Sequence, residues 1–176
     1  MAKFALVFFV RHTYAGERED FKKTNPGQSD DLRPLTKKGE KDAKFIGKGL
    51  KKLTLAKPRI FTSPYLRTYQ TAKGIQNKMS GKVRVLAAEE LKPNVDIKKW
   101  AAWFHRLSLK HTNIIVGHEP ALSKYLGYLL TGKPQISFDI KKGTVIVLSL
   151  EKHQSSLKVQ LKCYLPISDL KNLLKK

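Results

Sequence analysis

Cysteine is almost missing from this chain. Cys163 stands alone, so no intramolecular disulfide can form and no thiolate metal cluster can be built. Its setting, KVQLKCYLP, reads as a strand, and a buried thiol is expected there rather than a reactive one. No His-x-His or His-Glu-x-x-His spacing occurs, which removes the common zinc-hydrolase patterns; neither a metal nor a cofactor is expected. Long hydrophobic runs are missing as well. None approaches a membrane-spanning length, and the apolar run near the N-terminus is short and lacks a small-residue cleavage pattern. A soluble, cytoplasmic protein is the expectation. No repeat and no low-complexity tract divides the sequence, so residues 1–176 are expected to form one domain with a substantial core. Acidic residues are few: 14 against 35 Lys and Arg, a formal net charge of +21. Such a field attracts phosphorylated proteins, nucleotides, nucleic acid and anionic lipid alike. The aromatics do not interleave with the basic residues as a base-stacking platform requires, so the scattered Lys pairs read as solvated faces and a nucleic-acid partner is not expected.

What is present begins at Phe4. Seven apolar residues run from Phe4 to Val10 and stop on Arg11-His12, the pattern of a strand buried on both faces. Residues 13–33 are polar and show neither helical nor alternating period, which predicts a long surface loop, a common form for a functional lid. Thr36 is a good N-cap, and Ala43, Ile46, Leu50 and Leu53 give Lys37 to Leu53 a helical stripe. PRIFT, residues 58–62, predicts a short strand. Ser63-Pro64 then signals a helix start, which puts Arg67 in the first turn of a helix running to about Met79. Val83–Ala87 is a further strand candidate, and Asp96 is placed to cap a helix through about Leu107. TNIIV, residues 112–116, repeats the buried-strand pattern and ends on Gly117-His118-Glu119-Pro120, where an amphipathic helix begins. Strands are predicted over 136–140, 144–150 and 157–165, the last two as an edge hairpin, and a short helix over 168–176.

Open α/β sheets bind ligands beyond the carboxyl ends of their strands. Three buried strands end there in Arg11 and His12, in Arg67, and in His118, and Arg33 closes the long loop. Two imidazoles and three guanidiniums converging on one point are unfavourable without an anion between them. A phosphoryl group fits: guanidiniums grip its oxygens in pairs, and an imidazole can attack the phosphorus in line.

The segments VFFVRH, DLRPLTKKGEKDA, IFTSPYLRTYQTA, EELKP and NIIVGHEPAL occur in an order that resembles the histidine phosphatase superfamily, and within it the small SixA-type phosphohistidine phosphatases. The resemblance spans nearly the whole chain. It implies an α/β fold, a three-layer α/β/α sandwich with a mostly parallel central sheet and an antiparallel edge hairpin. It also implies that His12 is the nucleophile that becomes phosphorylated, that Arg11, Arg67 and His118 complete the phosphate pocket, and that Arg33 is its additional arginine. Thr13 stands where the superfamily usually has Gly, and its hydroxyl is a candidate phosphate or substrate contact. Relatives that cleave alkyl phosphates place a carboxyl after the third strand; Glu90, in the ELKP segment, and Asp96 are the candidate proton donors here. The expected substrate is a phosphorylated protein carrying phosphohistidine or a small phosphorylated metabolite. Rival readings are a broad or nucleotide-directed phosphomonoesterase and, outside enzymes, a basic phosphoprotein or nucleic-acid binder on the same fold.

Overall fold

The computed structural model describes residues 3–53, 58–79, 81–134, 138–153 and 156–175. Strand β1, Lys3–Arg11, lies inside a six-stranded sheet of order β3-β2-β4-β1-β5-β6, where β2 is Arg59–Thr62, β3 Arg84–Ala87, β4 Asn113–Gly117, β5 Val145–His153 and β6 Ser156–Leu165. The pairs β1–β4, β2–β4 and β2–β3 are parallel, while β1–β5 and β5–β6 are antiparallel. The expected edge hairpin is therefore present, on a mostly parallel sheet.

Successive side chains of a strand point to opposite faces, and in β1 both faces are filled. Val7 and Phe9 pack with Trp100, Phe104, Leu122 and Tyr125. Those residues belong to α4, Ile97–His105, and α5, Ala121–Thr131. Phe8 and Val10 pack on the other face with Ile46, Leu50, Ile75 and Leu170, from α2, Lys37–Leu53, α3, Leu66–Gln76, and α6, Ile167–Leu173. An uninterrupted apolar run is what such a strand needs, since over Val7–Val10 neither face meets water. On the first face Trp100 stacks on Tyr125 with centroids 4.1 Å apart. On the second, α2 and α3 approach so closely that a Cβ at Gly74 would lie 2.6 Å from that of Ala43. That contact sets the position of α3 and of the arginine in its first turn.

Three local expectations are corrected. Residues 13–33 are not an irregular loop: they hold α1, Arg18–Thr24, and a 3-10 turn, Asp30–Leu32. Neither element buries a side chain, so no apolar stripe marked them. Helix α3 starts at Leu66 rather than Pro64, because Tyr65 is extended at ψ 137°; the Ser63 hydroxyl still accepts from the Tyr65 amide at 3.4 Å. Of the strand expected over 136–140, Phe138–Ile140 is irregular, and residues 136 and 137 lie outside the described residues. Among the described residues no helix is long and apolar enough to cross a membrane.

Candidate active site

Parallel register brings the site together. Arg11 of β1 is the partner of Gly117 in β4, and Thr62 of β2 is the partner of Val116. The next residues along, His12, Ser63 and His118, therefore emerge side by side at the carboxyl edge of the sheet. The His12 amide donates to the Gly117 carbonyl at 3.0 Å, and the two imidazole centroids are 5.3 Å apart.

His12 has one defined tautomer. Its Nδ1 lies 2.8 Å from the Thr13 carbonyl oxygen. A carbonyl can only accept, so Nδ1 carries the hydrogen and Nε2 keeps its lone pair. Burial holds the ring neutral and lowers its pKa to about 3; the hydrogen bond to Thr13 pulls the other way, and the charges of Arg67, Arg11 and Arg33 lower it further. His118 is pushed down to about 2, first by burial, then by His12 and Arg67. Both rings are neutral at physiological pH, and Nε2 of His12 keeps its lone pair.

This has a consequence for stability. The unfolded chain takes up protons at these histidines as pH falls below 6.5, while folded His12 does so only near pH 3. Through that window the unfolded state binds more protons, so stability falls as pH is lowered. Thermal melts between pH 7.5 and 4.5 should show the midpoint falling, by about 2–4 °C for each kcal/mol lost. His12→Gln should show a shallower fall.

Arg67 is buried in the first turn of α3. Its guanidinium lies over the Tyr65 ring, 4.9 Å from the centroid, and Tyr65 in turn packs edge-on against His118 at 5.1 Å. Arg11 donates to the Ile140 carbonyl at 2.6 Å. Arg33, also buried, donates to the Gly16 carbonyl at 2.7 Å. Burial lowers the guanidinium pKa of Arg11 and of Arg67, with nearby acids opposing it. Among the described residues, Arg11 Nε, Arg67 Nε and both ring nitrogens of His118 are buried with no hydrogen-bond partner. Unmet buried polar groups of this kind are costly, and here they belong to the residues that the sequence brought to one crevice. No group of three or more His, Cys, Asp or Glu side chains among the described residues is placed to hold a metal ion.

The remaining sequence candidates stand elsewhere. Thr13 is a strut between β1 and α3. Its amide donates to the Thr71 hydroxyl at 3.2 Å, and the two hydroxyls are 3.3 Å apart. Thr71 gives its one hydrogen to the Arg67 carbonyl at 2.8 Å, so the Thr13 hydroxyl is the donor in that pair. In this arrangement its hydrogen is turned to Thr71 and its lone pairs are what remain. Asp96 caps α4, accepting from the amides of Lys98 and Lys99. The Glu90 carboxylate lies 3.7 Å from Arg106, in a surface groove shared with Glu89, Lys92 and Lys99 and lined by none of the pocket residues. The 3-10 turn bearing it, Glu89–Leu91, is pinned by the Tyr125 hydroxyl donating to the Glu90 carbonyl at 3.1 Å.

Three residues that the motif reading passed over do belong to this region. Tyr65 bridges Arg67 and His118. Asp30 bridges Arg33 and Arg67, its carboxylate 2.8 Å from Arg33 Nε and 3.2 Å from Arg67 Nη1. Glu119 follows His118 directly and interacts electrostatically with Arg11. Its Oε1 is buried without a partner among the described residues.

Comparison with known proteins agrees with this geometry. The sequence model of the histidine phosphatase superfamily (branch 1) matches residues 7–93. An uncharacterised protein of Picosynechococcus is 30% identical over 154 residues, covering 81% of this chain and 83% of its own. The protein histidine phosphatase SixA, solved with tungstate, superposes with a TM-score of 0.74 at 21% identity, over 94% of this chain and 99% of that one. A phosphoserine phosphatase of Entamoeba histolytica, solved with 3-phosphoglyceric acid, reaches a TM-score of 0.63 at 17% identity, over 94% and 99%. At these identities the superpositions speak for the fold.

Proposed function

This chain belongs to the histidine phosphatase superfamily and is a phosphatase, and from that premise we propose that it hydrolyses phosphohistidine through a phosphoryl intermediate on His12. The observation that carries the reading is the tautomer of His12: Nδ1 is held by the Thr13 carbonyl, and Nε2 is free, in a ring kept neutral by burial among three arginines. In the first step, with the second ring nitrogen of the substrate's imidazole protonated, the Nε2 lone pair forms a bond to phosphorus while the substrate's N–P bond breaks, its electron pair staying on the departing neutral imidazole. In the second, a water oxygen attacks the phosphorus, the N–P bond to His12 breaks and its electron pair returns to Nε2, releasing phosphate and a proton. Exchanging one N–P bond for another keeps the intermediate close in energy to the substrate. Arg11, Arg67, Arg33 and His118 supply the charge and hydrogen bonds that the transferring group requires.

The acid side of the site supports the same substrate class. Phosphohistidine releases imidazole, a weakly basic leaving group, and Glu90 and Asp96 are committed to Arg106 and to a helix cap. The basic surface fits an anionic, phosphorylated partner protein.

A second reading, a phosphomonoesterase of broad specificity, is favoured by Glu119. Burial raises its carboxyl pKa, and the Ser123 hydrogen bond and Arg11 oppose that only in part. Ser123 has a single hydroxyl hydrogen, yet both Glu119 Oε2, at 2.7 Å, and the Phe138 carbonyl, at 3.1 Å, call for it. A protonated Glu119 resolves the conflict by donating to Ser123, and a protonated carboxyl near Arg11 could serve an alkoxide leaving group. The deciding experiment is turnover of a phosphohistidine peptide measured against aryl and alkyl phosphate monoesters. Preference for the peptide supports the first reading; a wide preference for an alkyl ester replaces it with the second.

A further inference from the structure

Asp30 is an unexpected partner for a phosphate pocket, because a carboxylate there competes with or repels the substrate unless it stands behind the guanidiniums. The donor inventory shows which. Arg67 directs Nη1 at Asp30 twice, to the backbone carbonyl at 2.8 Å and to Oδ2 at 3.2 Å. Arg33 gives Nε–H to Asp30 Oδ1 at 2.8 Å and Nη1 to the carbonyls of Gly16, at 2.7 Å, and Ala15, at 3.4 Å. A guanidinium has five N–H donors in a fixed plane. Arg67 is therefore held through Nη1 and Arg33 through Nε and Nη1, leaving the Nη2 amino group of each, and in Arg67 the buried Nε as well, without a partner among the described residues. Three of these five contacts are to neutral carbonyl oxygens, which hold the guanidiniums without cancelling their charge. Arg18 reaches the same carboxylate from the surface, 3.4 Å from Oδ2. Burial raises the Asp30 pKa, but the hydrogen bond from Arg33 and the charges of Arg67, Arg33 and Arg18 outweigh it, and the group stays ionised.

We propose that Asp30 is a positioning residue of the active site: its carboxylate and carbonyl lock Arg33 and Arg67 so that their unpaired Nη2 groups face the phosphoryl group, which makes the 13–33 segment part of the catalytic apparatus. The assignment rests on the phosphoryl-transfer reading above. It accounts for two otherwise separate facts. A 3-10 turn with no buried residue is held in place by two buried arginines. Those arginines, both contributors to the low pKa of His12, come from distant parts of the chain yet share one anchor. Fixing a guanidinium favours the transition state more than the ground state, since its donors must meet the equatorial oxygens as the phosphorus flattens.

The test uses Asp30→Ala and Asp30→Asn in the full chain, with orthovanadate as the trigonal-bipyramidal probe and inorganic phosphate as the tetrahedral one. Asp30→Ala should lower kcat by about 10²-fold, the scale of a modest misplacement of a catalytic group, and weaken vanadate inhibition by a comparable factor. Phosphate affinity should change much less. Asp30→Asn, which keeps an oxygen acceptor and the backbone carbonyl, should recover part of the loss, and it carries the test alone if the alanine variant does not fold. A purely structural Asp30 would lower the melting temperature while leaving kcat and vanadate inhibition of the folded protein unchanged, and that result overturns the assignment. Tighter vanadate binding in either variant also overturns it, because Asp30 would then be a competitor for the pocket. Wild type that neither binds vanadate nor turns over any phosphoryl compound overturns the phosphatase reading and the assignment with it, an outcome distinct from the other two.

Discussion

His12→Ala should reduce turnover on the order of 10⁶-fold, the scale seen when a covalent nucleophile is removed, while the protein still binds phosphate and vanadate. The two halves of this expectation have separate causes. In the proposed mechanism the attacking lone pair belongs to Nε2 of His12, made available because the Thr13 carbonyl holds the hydrogen on Nδ1. The proposed phosphate donors belong to Arg11, Arg67 and His118, whose Nε and ring nitrogens are buried and unmet among the described residues. Removing the imidazole leaves those donors in place, and it also removes a neighbour that lowers the His118 pKa. Wild type mixed rapidly with labelled substrate and quenched in alkali, where a phosphorylated imidazole survives, should carry the label on His12. His12→Gln should carry none. Retention of full activity in His12→Ala would remove the covalent mechanism and leave direct attack by water.

The core of this site was readable because it depends on strand register. Once Phe4–Val10 and Thr112–Val116 are taken as buried parallel strands, the residues that follow each must emerge together, and His12 and His118 do. Arg67 was readable for a similar reason, as the first turn of the helix after β2. That helix begins two residues later than Ser63-Pro64 implied, but the arginine remains in its first turn. What could not be read depended on where a side chain points after the backbone has turned. Asp30 belongs to a segment whose two short elements bury nothing, so periodicity had no apolar stripe to detect, and the acidic pair 30–31 looked like solvated loop. Glu90 was favoured by its segment, ELKP, yet the turn is pinned through its carbonyl to Tyr125 and the carboxylate leaves toward Arg106. Glu119 sat inside a recognised motif and was overlooked because its significance is the environment: a buried oxygen without a partner and a hydroxyl with one hydrogen for two acceptors.

Leaving-group basicity should rank the substrates: phosphohistidine fastest, aryl esters of acidic phenols next, alkyl esters slowest, with a span from first to last of about 10²–10⁴-fold, the range of general acid catalysis. The argument needs only the bond being broken. A departing imidazole has a conjugate acid of pKa about 6.5 and a phenol about 10, while an alkoxide is far more basic and requires a proton as it leaves. Three carboxyls can be asked to provide it, and their surroundings give different answers. Glu90→Gln should leave every substrate nearly unaffected, because that carboxylate faces Arg106 in a surface groove. Asp96→Asn should act through α4, lowering stability by about 1 kcal/mol or less for a weakened cap, with kcat unchanged. Glu119→Gln should slow the alkyl ester by about 10²-fold and phosphohistidine by no more than a few-fold, because burial raises the pKa of this carboxyl, which lies within electrostatic reach of Arg11. The Gln amide can still donate to Ser123 and keep the Phe138 carbonyl satisfied, so the loss would report the proton rather than the packing. If Glu119→Gln slows all substrates equally, Glu119 works by orienting Arg11 and the site has no dedicated acid. If wild type itself favours the alkyl ester, the leaving group is not imidazole, and the phosphomonoesterase reading stands in its place.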